Sequence, residues 1–267
     1  MIYYIENKAL RAELKEETLE LPQDLREKIN ANFEKMKSTG ANIWNGEVMC
    51  VSKVSITDRQ VDITCKKTDY AHYLYGERIG CPKEYECKNL SAGCLLETSD
   101  GYYVVGELDD TTSYPGMLQV TGGGVDKKDI TDGHIDILQT IKRETKEEMN
   151  IDLDDSSLVK ESGICYIYIS NDGDQPGVEL FVKAKINLTA SQMQEYFESY
   201  YKYLQENGLE LEFKTLHYFS KDHPVEDLDK LNNPRRYYLK PLMQFDAQRD
   251  KKDHEDIELW IKKDFEN

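Results

Sequence analysis

Three consecutive glycines, Gly122–Gly124, close a strand-like run, Gly-Met-Leu-Gln-Val-Thr from Gly116 to Thr121, and precede a helix-like run, Gln139–Ile151 (QTIKRETKEEMNI). Glycine has no Cβ, so such a run lets backbone carbonyls and amides approach a ligand directly. In the helix-like run, Asp136 is placed to cap a helix beginning at Ile137. At about 100° per residue, Leu138, Ile141, Thr145 and Met149 share a packing arc, and Glu144, Glu147 and Glu148 share the neighbouring one. Three carboxylates within one turn repel one another, and helix propensity alone does not select them. A bound Mg2+ or Mn2+, which takes oxygen ligands, would neutralise them. The plainer alternative is a solvated acidic face balanced by Lys142, Arg143 and Lys146.

The chain has 267 residues, a formal net charge of −17 and 39% apolar residues, enough to bury a substantial core. That charge argues against nucleic acid as a partner, because phosphate backbones are bound by Lys and Arg. A small nucleotide substrate remains compatible, provided a cation stands between the protein's acid and the ligand's phosphates. No window approaches the roughly 20 apolar residues of a membrane span, and the first residues lack a basic stretch followed by an apolar one. The expectation is a cytoplasmic protein with no membrane partner and reduced thiols. Cys81, Cys87 and Cys94 lie near one another, but at gaps wider than those of common zinc knuckles. The five histidines show no metal or nucleophile spacing and are read as polar surface or loop positions.

Leu25, Ile29, Phe33 and Met36 recur at helical spacing, with Gly40 as a stop. Gly46–Ile56 and Gln60–Lys67 read as a β-hairpin, and Thr68–Tyr85 as an aromatic, irregular stretch. An extended pair spans Cys94–Leu108, turning at Asp100-Gly101. Beyond the acidic helix come strands at Ser162–Ser170 and Gly177–Ile186, then a helix capped by Thr189 or Ser191 and stopped at Gly208. A further strand lies at Leu211–Ser220, with a partly helical tail from Lys221. This order implies an α/β fold around a mixed sheet rather than a strictly alternating parallel one. Residues 1–90 are read as an N-terminal flank of helix plus hairpin, and 91–267 as the main domain with a helical tail.

Strand, glycine loop and acidic helix together resemble the nudix box, whose helix carries Arg-Glu, two residues, then Glu-Glu, any residue, Gly and an aliphatic residue. Arg143-Glu144, Glu147-Glu148 and Ile151 match in register. Thr145 stands where an aliphatic residue is usual, and Asn150 replaces the helix-ending Gly. Ile135 falls where the pattern has an upstream Glu, and Asp129 where it has its first Gly. In the pattern this chain resembles, that Glu supports the Arg and the metal cluster, and Asp132 or Asp136 are the candidate substitutes here. The resemblance extends over roughly Tyr102–Lys221. A shorter one links Asn42–Val51 and Thr68–Glu77 to nudix enzymes that hydrolyse UDP-sugars.

The resemblance implies a nudix-like α/β/α sandwich and hydrolysis of a nucleoside diphosphate linked to another moiety, a nucleotide sugar or an ADP-ribose-like compound. It implies Mg2+ or Mn2+ held by Glu144, Glu147, Glu148 and a carbonyl of Gly123 or Gly124, with Arg143 orienting Glu144. The base is Glu144 or a later-loop carboxylate, for which Asp172, Asp174 and Glu179 are the candidates. Tyr70, Tyr73 and Tyr75 are candidates for stacking on the substrate; alternatively they and Trp44 are packing aromatics. Two other classes stay open. One is a nudix-fold nucleotide sensor or scaffold without turnover. The other is an acidic interaction protein using Asp152–Asp155 and Asp250–Glu258.

Overall fold

The computed structural model describes residues 1–39, 43–170 and 177–249. The chain opens with β1 (Ile2–Tyr4), β2 (Ala9–Thr18) and α1 (Gln23–Ser38), then β3 (Glu47–Ile56), β4 (Gln60–Asp69) and α2 (Tyr70–Arg78). Next come β5 (Asn89–Glu97), β6 (Tyr102–Leu108), β7 (Leu118–Gln119), β8 (Thr121–Gly124), β9 (Ile130–Thr131), β10 (His134–Ile135) and α3 (Ile137–Met149). The remainder is β11 (Val159–Ser170), β12 (Gly177–Ile186), α4 (Ala190–Glu206), β13 (Phe213–Ser220), α5 (Pro224–Leu228) and α6 (Leu239–Arg249).

The strands form a mixed sheet, as expected. Most neighbours are antiparallel, while β12 pairs β5 and β2 pairs β4 in parallel. Side chains of a strand alternate between faces. On β5, Cys94 and Leu96 therefore enter a core with Ile141 and Met149 of α3 and Met193 and Phe197 of α4. Leu95 enters the opposite core with Leu239, Leu242, Met243 and Phe245 of α6. Helices thus cover both faces, and burial of these apolar side chains, each contributing about 1.5–3 kcal/mol, holds the layers together.

The expected N-terminal helix and hairpin are present: α1 buries Leu25, Ile29 and Phe33, and β3 pairs β4 antiparallel. Gly40, read as the helix stop, lies outside the described residues. The stretch after the hairpin, read as irregular, is instead partly the helix α2. Asp69 caps it by accepting from the His72 amide at 3.0 Å, and Asn45 accepts from the Ala71 amide at 2.7 Å. Its packing against α1 is mixed aromatic and aliphatic, a pattern that hides helical periodicity. Arg26 of α1 also bonds Asp69, tying the two helix starts together.

His72 departs from its reading as a surface or loop residue. It is fully buried, with Nδ1 2.8 Å from the Thr68 hydroxyl and Nε2 2.7 Å from the Tyr85 carbonyl. All six thiols are free, and Cys94 is a core residue of β5. No helix among the described residues is long and apolar enough to cross a membrane.

Candidate active site

Asp136 caps α3 by accepting from the Gln139 amide at 2.9 Å, and Asn150 ends the helix in the left-handed region at φ 57°. Such a cap contributes about 1 kcal/mol. The helix is rotated slightly from the sequence expectation. Leu138 is exposed, while Glu148 is buried beside Ile141, Thr145 and Met149. Glu148 does not project with Glu147; its carboxylate turns inward and accepts from the Gly122 amide at 3.0 Å.

The glycine run makes this approach possible. A Cβ on Gly122 would lie 2.3 Å from the Ala92 carbonyl oxygen, and its φ of 148° disfavours any L side chain, so β8 can lie against β5 here only as glycine. A Cβ on Gly123 would lie 2.8 Å from Glu144 Oε1. Gly123 and Glu144 are therefore in face-to-face proximity, with the strand end bare toward the carboxylate.

Arg143 is the hub of the acid cluster. Its Nη2 donates to Asp129 Oδ2 at 2.8 Å and its Nε to Oδ1 at 3.4 Å, while Nη1 serves Glu144 and reaches Glu147 at 3.3 Å. Asp129 is fully buried and also accepts from the Thr140 hydroxyl and the Asp126 amide, both at 3.0 Å. Burial opposes its ionisation, but Arg143 and these donors together hold its carboxyl below the usual range. Neither Asp132, in the β9–β10 turn, nor Asp136, the helix cap, supports Arg143; Asp129 does. The longer loop between Gly124 and the helix brings that carboxylate back under the guanidinium.

Glu144 is largely buried and its carboxyl is pushed up by burial, an effect tempered by Arg143. Glu148 is pushed up by burial and then by the charges of Glu212 and Glu144. Glu212, just before β13, is pushed up to about 7 by burial and by Glu144. Its carbonyl is pinned by the Asp109 amide at 2.8 Å. Glu147 sits at the rim, 55% exposed, near Lys128. Glu144, Glu148 and Glu212 are an acid patch joined from two distant segments, and no local sequence signal marks Glu212.

Among the described residues, no three His, Cys, Asp or Glu side chains are gathered as a ready-made metal site. The donor chemistry nonetheless fits a hard divalent cation: carboxylate oxygens, a glycine backbone with no Cβ over it whose Gly124 carbonyl accepts from Arg143 at 3.4 Å, and buried carboxyls that repel one another. One Arg143 cation thus faces three carboxylates, Asp129, Glu144 and Glu147.

A cleft of about 1130 Å³ runs from the glycine loop, Arg143, Glu144 and Glu212 toward Trp44, Tyr70 and Tyr73. Tyr75 does not line it; it packs with the α1–α2 cluster. Tyr70 and Tyr73 line the cleft and also pack on that cluster. Arg236, unremarked in the sequence, also lines the cleft. It is held by Gln119 at 3.1 Å, lies 4.6 Å over the Tyr114 ring, and reaches Glu77 at 4.0 Å. Glu77 in turn accepts from the Tyr73 and Tyr114 hydroxyls.

Of the later-loop carboxylates, Asp172 and Asp174 lie outside the described residues. Glu179 lies on β12 in the cleft floor, where its neighbouring charges are Arg236 and Glu77 rather than the α3 acids. The acidic run after α3 is balanced locally, Lys142 pairing Asp154 and Lys146 pairing Asp152. Asp250–Glu258 lie outside the described residues.

No family model matches the chain, and no curated protein matches it. Solved structures show partial likenesses. A nudix hydrolase from Nitrosomonas europaea shares 15% identity over 64% of this chain and 95% of its own, with a TM-score of 0.37. A C. elegans Ap4A hydrolase shares 18% over 61% and 98%, also at 0.37. The nudix domain of Shewanella oneidensis NrtR, complexed with ADP ribose, shares 14% over 68% and 97%, again at 0.37.

Proposed function

We propose that the protein is a nudix-type hydrolase, dependent on Mg2+ or Mn2+, that cleaves the pyrophosphate of a nucleoside diphosphate joined to another moiety. Nucleotide sugars and ADP-ribose-like compounds are the substrate class. The observation that carries this reading is the bare Gly123 backbone against Glu144, with Arg143 fixed behind it by the buried Asp129.

Glu144, Glu147 and Glu148, with a carbonyl of Gly123 or Gly124, would hold the cation. When bound, it supplies charge neutralisation for the pyrophosphate and Lewis acidity at phosphorus. Arg143 restrains Glu144 through a charge-assisted bond, so the carboxylate does not reorganise during reaction. Glu212, with its carboxyl near 7, fits the role of base that takes the proton of the attacking water. The walls contributed by Tyr70 and Tyr73 cover the rest of the ligand.

Release of a nucleoside monophosphate from such a substrate with Mg2+, abolished by a chelator, tests the reading. A second reading, a nucleotide sensor without turnover, is favoured by the lack of a gathered three-acid site among the described residues. Binding of the same compounds with no product formed under any divalent metal would select it.

A further inference from the structure

β8, β5 and β12 lie side by side in the cleft floor, with Gly124 opposite Ser91 and Ser91 opposite Glu179. Residues in such a row point to the same face, and strands are spaced about 4.8 Å apart. Glu179 therefore stands two strand spacings, about 10 Å, from the glycine loop. That separation suits the part of a ligand one step beyond its diphosphate.

The Glu179 carboxylate is half committed. Oε1 accepts from the Tyr237 hydroxyl at 2.9 Å, whereas Oε2 is buried without a hydrogen bond of good geometry, the facing Ser91 hydroxyl only easing the carboxylate's charge. Among the described residues it is the only carboxylate oxygen in that condition. Arg236 lowers the local charge but spends its own bonds on Gln119 and its ring contact on Tyr114. A buried acceptor left unpaired costs about 1–3 kcal/mol, and a donor arriving with a ligand would recover it.

We propose that Glu179 reads the non-phosphate half of the ligand, Oε2 accepting a hydrogen bond from an N–H or O–H of its base or sugar. This rests on the cleft being a diphosphate site. It assigns selectivity to the floor of the sheet, in place of the proton-accepting role weighed from the sequence. Burial, opposed by Tyr237, Arg236 and the Ser91 hydroxyl, places the Glu179 carboxyl near 7, so acceptor strength at this position grows toward alkaline pH.

The test compares the parent with Glu179→Gln on UDP-, GDP-, ADP- and CDP-glucose, on UDP-galactose and on ADP-ribose. It also measures binding of UMP, GMP, AMP and CMP by calorimetry in a chelator. Gln keeps the shape but weakens the acceptor. KM for the preferred substrate should rise about tenfold, equivalent to about 1.4 kcal/mol, with kcat falling by less than KM rises, and the ranking among substrates should flatten. If the monophosphate ranking flattens too, the donor belongs to the base; if only the sugar ranking flattens, it belongs to the sugar. An equal proportional change for every compound, or no change in any KM or binding constant, would overturn the assignment. If the parent hydrolyses nothing but Glu179→Gln alters which monophosphate binds, the hydrolase reading fails while this one stands. Should Glu179→Gln not melt cooperatively, Glu179→Asp, which withdraws the carboxylate and keeps its charge, is read by the same criteria.

Discussion

Asp129 and Arg143, fourteen residues apart, form a buried bidentate pair that sets the direction of the α3 acids. Removing one partner of such a pair leaves an uncompensated charge and costs about 3–5 kcal/mol. Asp129→Ala should lose stability of that order in denaturant unfolding, whereas Asp136→Ala should lose only about 1 kcal/mol, the worth of a cap. Equal effects from the two would place the support of Arg143 elsewhere.

Gly122 and Gly123 differ in what an added methyl meets. At Gly122 it would strike the β5 backbone at 2.3 Å in a left-handed conformation, so Gly122→Ala should destabilise by more than about 2 kcal/mol. At Gly123 the nearest atoms it would strike belong to the Glu144 side chain, which can yield by giving up its bond to Arg143 without moving backbone. Gly123→Ala should therefore keep a near-parent melting temperature while losing most hydrolysis. A destabilised Gly123→Ala with normal turnover of the folded fraction would contradict the placement of Glu144.

The Glu212 carboxyl is raised in the folded protein, the reverse of a stabilising acid. Its penalty is absent below the unfolded carboxylate range near 4.3, grows as pH rises toward about 7, and is full above. In a chelator, Glu212→Gln should raise the melting temperature at pH 8 more than at pH 5. The opposite order would show that Glu212 is stabilised as an anion.

The strand β1 pairs β11, with Ile2 opposite Tyr168, and Arg249 of α6 lies 4.0 Å over the Tyr4 ring. Deleting residues 1–87 removes this strand together with α2 and its Tyr70 and Tyr73. The shortened chain should fail to melt cooperatively. A soluble, cooperative and fully active chain from Lys88 would show that the first 87 residues are an appendage.

Much of the local geometry of α3 was legible because its signals are local. The cap at Asp136, the left-handed end at Asn150 and the Arg143-Glu144 pairing follow from residue type and spacing within one helix. Asp129 was not legible as the partner of Arg143, since that contact depends on the path of a loop. Glu212, Arg236 and the free oxygen of Glu179 depend on strand register across the sheet, which no window of sequence contains. The strands β1 and β2 were not anticipated, although Leu10, Ala12 and Leu14 alternate with charged residues, and α2 was read as irregular because it lacks a clean apolar stripe.

The most direct measurement is nucleoside monophosphate release from UDP-glucose, ADP-ribose and a set of nucleoside triphosphates with Mg2+, by the parent, Glu147→Gln and Glu148→Gln. The parent should release product only with metal and should favour the diphosphate compounds in kcat/KM. Each variant should turn over at least about a hundredfold more slowly while remaining folded. Parent-level rates in both variants would contradict the central claim that α3 carries the metal site.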